Sequence, residues 1–150
     1  MAPQTDDPME RLAPLLGAWS ITMDFPRFSL TGVRGRVGFE RMGGFLLQRW
    51  EVEMKEAPDG LALIGPDRDR GGYLQHYFDA RGVARIYRMG FSGGVWTLSR
   101  DEPDHSPLDF RQRWTGRLSP DGDVIAGPGD ICLDGETWEH DFDLRYERIG

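Results

Sequence analysis

One histidine near the end of the chain has neighbours that would suit catalysis or ligand binding. In residues 136–148, apolar and polar side chains alternate strictly, and a period of two predicts a strand with one buried face. The residues of the apolar face are Trp138, His140, Phe142, Leu144 and Tyr146. His140 is therefore expected inside the protein among aromatic rings, where an imidazole that titrates near neutral pH could transfer a proton or bind a metal.

Other polar side chains are expected to share that interior, because each lies on the apolar face of an alternating segment. These are Gln48, Arg85, Tyr87, Gln112 and Tyr146. Buried polar groups need hydrogen-bond partners, and several of them inside an apolar enclosure are typical of a ligand pocket. Alternatively, His140 has no function and is a core histidine whose hydrogen-bond partner is Gln112 or Tyr146.

Aromatic residues supply the apolar part of the predicted pocket. The side chains expected to form its wall are Trp19, Trp50, Trp96, Trp114, Trp138 and Phe142. Such a wall would exclude water and hold a mostly apolar molecule, while Arg85, Gln112 and His140 oriented its polar end.

Two further motifs are attributed to chance or to surface turns. Residues 90–94 match the Gly-x-Ser-x-Gly string of hydrolases, but that motif needs a strand that turns into a helix, and here a strand follows. The cluster of Asp101, Glu102, Asp104 and His105 is typical of a solvated loop, and the sequence lacks the closely spaced histidines or cysteines of a zinc site. No metal site is predicted.

Composition narrows the class of protein. The 150 residues suit a single domain, with residues 1–7 as a flexible tail, and the net charge of −7 argues against nucleic acid and anionic membrane surfaces as partners. The single cysteine, Cys132, and the absence of an apolar run long enough to span a membrane favour a cytoplasmic protein, either a monomer or a homodimer.

The rest of the sequence predicts the elements that would position the pocket. Asp7, Pro8 and Glu10 have the pattern of a capped helix start, and Gly17 ends that short helix. From there about ten alternating segments follow, most of them joined by short turns, and Asp134 and Gly135 predict a two-residue hairpin before the last strand. Closure into an all-β, antiparallel, up-and-down barrel is expected, with the first and last strands paired and the helix over one end. The orientation of His76 stays open, because both faces of residues 73–79 are partly apolar.

Four segments carry a resemblance to a known family. They are residues 15–19 (LLGAW), 43–47 (GGFLL), 77–79 (YFD) and 134–138 (DGETW). Together they resemble an uncharacterised bacterial branch of the calycin-like barrels, similar to nitrobindin and the fatty-acid-binding proteins. The resemblance implies a ten-stranded barrel with an internal cavity. By similarity to nitrobindin it also implies haem as the one possible cofactor, with His140 as the proximal ligand.

These observations lead to one main functional hypothesis and three alternatives. The main hypothesis is a barrel that binds a small hydrophobic molecule in its lumen. The first alternative is a cofactor-free isomerase or cyclase, in which His140 is the general acid or base and Arg85 or Tyr87 stabilises a developing negative charge. The others are a haem protein and a barrel with no ligand.

Overall fold

A computed structural model describes residues 7–54, 57–101 and 110–149. The described chain is almost entirely β-structure, as the alternating segments predict. The ten strands are β1 (Gly17–Phe25), β2 (Leu30–Met42), β3 (Phe45–Val52), β4 (Gly60–Pro66), β5 (Tyr73–Asp79), β6 (Ala84–Ser92), β7 (Val95–Arg100), β8 (Arg111–Leu118), β9 (Val124–Cys132) and β10 (Trp138–Arg148).

The strands form one closed antiparallel barrel in which each strand pairs with the next along the chain. Closure comes from the pairing of β1 with β10, where Trp19 lies opposite Arg148 and Met23 lies opposite Leu144. Each strand thereby has two hydrogen-bonded neighbours, and the sheet leaves no edge on which another chain could add. The predicted up-and-down barrel is confirmed.

The predicted N-terminal helix is present as a short 3₁₀ helix, Glu10–Leu15, with Pro14 inside it. The Oδ1 atom of Asp7 accepts a hydrogen bond of 2.9 Å from the backbone N–H of Met9, and Oδ2 lies 3.0 Å from the Arg41 guanidinium. Asp7 thus connects the start of this helix to β2. Residues 1–6 lie outside the described residues.

This 3₁₀ helix covers the end of the barrel at which β1 begins. Leu12 and Leu15 are fully buried there, and the carbonyl oxygen of Leu15 accepts a hydrogen bond of 2.9 Å from Nε1 of Trp19. Further into the barrel, the rings of Trp96 and Trp114 pack edge to face with centroids 4.8 Å apart. This end, called here the plugged end, is the main apolar core. Burial of each such side chain contributes about 1.5–3 kcal/mol to the stability of the fold.

The opposite end, called here the open end, is formed where β1, β3, β5, β7 and β9 finish. A second 3₁₀ turn, Pro26–Phe28, lies there between β1 and β2 and contacts β10. Neither helical segment of the described chain is long and apolar enough to span a membrane.

Two details of the sequence prediction are wrong. The last strand begins at Trp138, and residues 133–137 connect it to β9, so Asp134 and Gly135 do not form a two-residue hairpin. Instead Asp134 Oδ1 accepts hydrogen bonds from the N–H groups of Glu136 and Thr137, which makes a wider turn. The pairing of β10 with β9 also shifts register between His140 and Phe142, so that Asp141 is the extra residue of a β-bulge.

Candidate functional site

The open half of the barrel encloses a cavity of about 640 Å³. Its wall is mostly apolar and its polar groups are few. The apolar side chains that line its middle include Ile21, Met23, Val37, Leu98 and Leu144. The cavity ends below at the aromatic core of the plugged end and reaches the open end above, where Phe25, Phe28 and Leu30 form part of the rim.

Three polar side chains from separate strands meet inside the barrel where the cavity borders the core. Gln75 Nε2 donates a hydrogen bond of 2.8 Å to Oε1 of Gln48, and both side chains are buried. Gln48 also hydrogen bonds to the hydroxyl group of Tyr146. Burial raises the pKa of that hydroxyl group, and the bond from Gln48 opposes the rise only in part, so Tyr146 stays protonated and neutral. The floor of the cavity is polar but uncharged.

A second polar group lies higher on the wall and carries a positive charge. The Tyr87 hydroxyl donates a hydrogen bond of 2.8 Å to Oε1 of Gln112, and Nη1 of Arg85 lies 3.5 Å from the Tyr87 oxygen. The Arg85 guanidinium is buried and lies over two rings, 5.6 Å from the centroid of Tyr77 and 5.4 Å from that of Phe110. Arg85, Tyr87 and Gln112 thus form one hydrogen-bonded polar group at the wall of the cavity.

A third polar group fixes the turn between β5 and β6 at the open end. Tyr77 donates a hydrogen bond of 2.6 Å to Asp79 Oδ2, and Arg81 Nη2 donates one of 2.8 Å to the same oxygen. Burial opposes ionisation of Asp79, but the bonds from Arg81 and Tyr77 outweigh it and lower the Asp79 pKa to about 2. Burial and the same carboxylate raise the pKa of Tyr77. Asp79 is therefore ionised and Tyr77 protonated at neutral pH.

Most of the predicted pocket residues do line the cavity. They are Gln48, Trp50, Arg85, Tyr87, Gln112, Trp114, Phe142 and Tyr146. Trp19 and Trp96 also point inward, but they are fully buried in the core of the plugged end and do not reach the cavity.

The interior location predicted for His140 and Trp138 is wrong. The bulge at Asp141 adds one residue to β10, and a shift of one residue turns every side chain before it to the opposite face. His140 is 45% exposed, and its Nε2 lies 3.0 Å from Asp143 Oδ1 on the outer surface. The ring of Trp138 packs outside the barrel under the Arg113 guanidinium, 4.0 Å from the ring centroid.

Asp141 takes the place expected for His140. Its carboxylate is largely buried at the open end of the cavity, and Oδ1 accepts a hydrogen bond of 3.1 Å from Nη1 of Arg27 in the turn between β1 and β2. Nothing in the alternation of residues 136–148 marks Asp141 as an inward residue. Pro128 on the neighbouring strand favours irregular pairing, but a proline there does not indicate which strand carries the extra residue.

The inward polar residues of β5 and of the end of β7 were not assigned by the sequence analysis. Gln75 and Tyr77 lie inside because the inner face of β5 is Tyr73, Gln75, Tyr77 and Asp79, which also settles that His76 points outward. Arg100 is buried at the end of β7, where its guanidinium donates to the carbonyl oxygen of Phe110. Simple extension of the alternation from Trp96 and Leu98 would have identified Arg100.

The described residues do not fit a haem held by histidine. His76 and His140 both lie on the outer face of the barrel, and His105 belongs to residues 102–109, which the structure does not describe, as do Glu102 and Asp104 of the acidic loop. Within the described ranges, His, Cys, Asp and Glu side chains do not gather in groups of three or more that could hold a metal ion.

Comparison with known proteins gives a likeness of fold. The chain superposes on the crystal structure of Rv2717c from M. tuberculosis with a TM-score of 0.66 and 15% sequence identity, over 100% of this chain and 99% of the other. No family model matches the sequence, and no curated protein matches it. At this identity the likeness shows a shared barrel fold alone.

Proposed function

We propose that this protein binds a small, mostly apolar molecule inside a calycin-like barrel. The observation that carries the proposal is the cavity of about 640 Å³, which has an apolar wall and a few convergent polar groups. Sites for small molecules usually have volumes of about 300–1,000 Å³ and this same division between apolar wall and polar anchors.

The polar groups suggest how the molecule lies. Its apolar body would contact the aromatic and aliphatic wall, and a polar atom that accepts hydrogen bonds would lie near Arg85, Tyr87 and Gln112. A polar group in that place has partners in the bound state, so its removal from water is compensated. His140 takes no part in the proposal, because it lies on the outer surface and does not line the cavity.

A lumen-filling variant tests the proposal. The neutral fluorescent probe N-phenyl-naphthylamine should bind the wild-type protein with a rise in its emission. Leu144→Trp adds bulk to a side chain that lines the cavity, so affinity for the probe should fall about tenfold or more, which corresponds to about 1.4 kcal/mol of binding free energy. Leu61→Trp is the matched control, because Leu61 lies on the outer surface and its replacement should leave affinity unchanged.

Two results would count against the proposal. One is a wild-type protein that does not bind the probe, and the other is equal loss of affinity in both variants. Mass spectrometry of an organic extract of the purified protein would identify a molecule that copurifies, and the Leu144→Trp protein should retain less of it.

A further inference from the structure

The aromatic residues of the cavity lie flat against its wall because glycines face them. Gly60 on β4 is paired directly with Trp50 on β3, and a Cβ atom at position 60 would overlap the indole ring. Gly129 on β9 is paired directly with Phe142 on β10, and a Cβ atom there would overlap the phenyl ring. In each pair the ring occupies the space that a side chain on the next strand would otherwise fill.

Each glycine lies under a ring that belongs to a wider aromatic surface. The Phe142 ring that covers Gly129 lies beside the ring of Phe25 on β1, with centroids 6.3 Å apart. On the other surface the Trp50 ring that covers Gly60 stacks on Tyr77 of β5, with an interplanar angle of 26° and centroids 5.2 Å apart. All four rings line the cavity.

The two surfaces face each other across the lumen. In the closed order of ten strands, β4 and β9 are separated by four strands in either direction, so they lie on opposite sides of the barrel. The space between these two aromatic surfaces is called here the slot. Aromatic rings gain most from partners that stack against them or meet them edge on, which a flat molecule can do.

We propose that the lumen selects flat, ring-containing apolar molecules over flexible aliphatic chains of equal size, and that Gly129 and Gly60 maintain this selectivity. The inference rests on the proposed binding function and adds the chemical class of the ligand. Glycine at these two positions is required because any larger residue would push the Phe142 or Trp50 ring into the slot.

Two alcohols with the same number of non-hydrogen atoms test the selectivity. Anthracenemethanol is flat and rigid, whereas pentadecanol is a flexible chain, and each can be measured by displacement of N-phenyl-naphthylamine. Wild-type protein should prefer anthracenemethanol by about tenfold or more, the scale expected from one or two aromatic contacts. Gly129→Ala and Phe142→Leu should each bring the ratio of the two affinities towards one.

Control variants separate this effect from general damage to the barrel. Gly38→Ala places a methyl group where no atom lies within 4 Å, and Phe78→Leu removes an exposed ring from the outer surface, so both should keep the preference. A ligand-free readout comes from NMR: the α-protons of Gly129 should be shifted upfield by the Phe142 ring, and Phe142→Leu should remove that shift.

The outcomes distinguish this inference from the proposed function. If pentadecanol binds as tightly as anthracenemethanol, the protein is a binding protein without the selectivity, and the inference is overturned while the proposed function stands. If neither alcohol nor the probe binds, both are overturned. Two results together would show that the ring over Gly129 does not produce the selectivity. They are a preference that survives in Gly129→Ala and Phe142→Leu, and normal α-proton shifts of Gly129 in the wild type.

Discussion

At the plugged end of the barrel, Trp19 and Trp96 are fully buried and pack edge to face with neighbouring rings, which fill the interior. At the open end, Trp50 and Phe142 lie flat over glycines and leave a cavity beside them. The same residue types thus produce a core in one half and a pocket in the other. The difference lies in what surrounds each ring. Trp96 is itself paired with Gly116 but is enclosed by further rings, whereas one side of Trp50 and of Phe142 borders the cavity.

Replacement of one tryptophan in each half gives the largest expected contrast. Trp96→Ala should lower the free energy of unfolding by about 3–5 kcal/mol, because it leaves a cavity in a closely packed core. Trp50→Ala should cost less stability, since part of the ring already borders an open cavity, but it should weaken probe binding. Urea denaturation and probe titration of both variants measure the contrast, and equal destabilisation would show that the two halves are packed alike.

A smaller effect on the free energy of unfolding is expected when the pH is lowered, because of Asp79 at the open end. Hydrogen bonds from Arg81 and Tyr77 hold the Asp79 pKa at about 2, below its ordinary value of 3.8. A group whose pKa is lower in the folded state stabilises the fold above its unfolded pKa and loses that contribution as pH falls towards the folded value. The advantage of wild type over Asp79→Asn should therefore be full at neutral pH and shrink as pH falls from about 4 to about 2.

Urea denaturation of both proteins across this range measures that difference. Asp24→Asn provides a comparison, because Asp24 lies in an exposed region and accepts its hydrogen bond from the backbone of Gly32. A wild-type advantage over Asp79→Asn that did not change with pH would contradict the assignment of a low pKa to Asp79.

The smallest effect is expected at His140. Because His140 is exposed on the outer surface, His140→Ala should change the free energy of unfolding by less than about 0.5 kcal/mol. Probe affinity should also stay at the wild-type level. A tenfold loss of probe affinity in this variant would place His140 at the lumen and contradict the bulge in β10.

The fold could be predicted from the sequence because the period-two pattern repeats in nearly every strand and one closed arrangement satisfies all of them. The positions of Gln48, Arg85, Gln112 and Tyr146 followed from the same pattern. His140 and Trp138 could not be placed in this way, since a single inserted residue at Asp141 reverses the face of all residues before it, and the inserted residue has no distinctive type. The packing of aromatic rings over Gly60 and Gly129 could not be predicted either, because it depends on which residues the strand register pairs.

The pairing of β1 with β10 also affects the rate at which this chain folds. Trp19 and Arg148 belong to opposite ends of the sequence, yet they are register partners, whereas the other neighbouring strands are consecutive in the chain. Hairpins between consecutive strands require the closure of short loops, while the last pairing requires almost the whole chain to be brought together. Proteins with such long-range pairings fold in milliseconds to seconds, so closure of this seam is expected to be the slow step of folding.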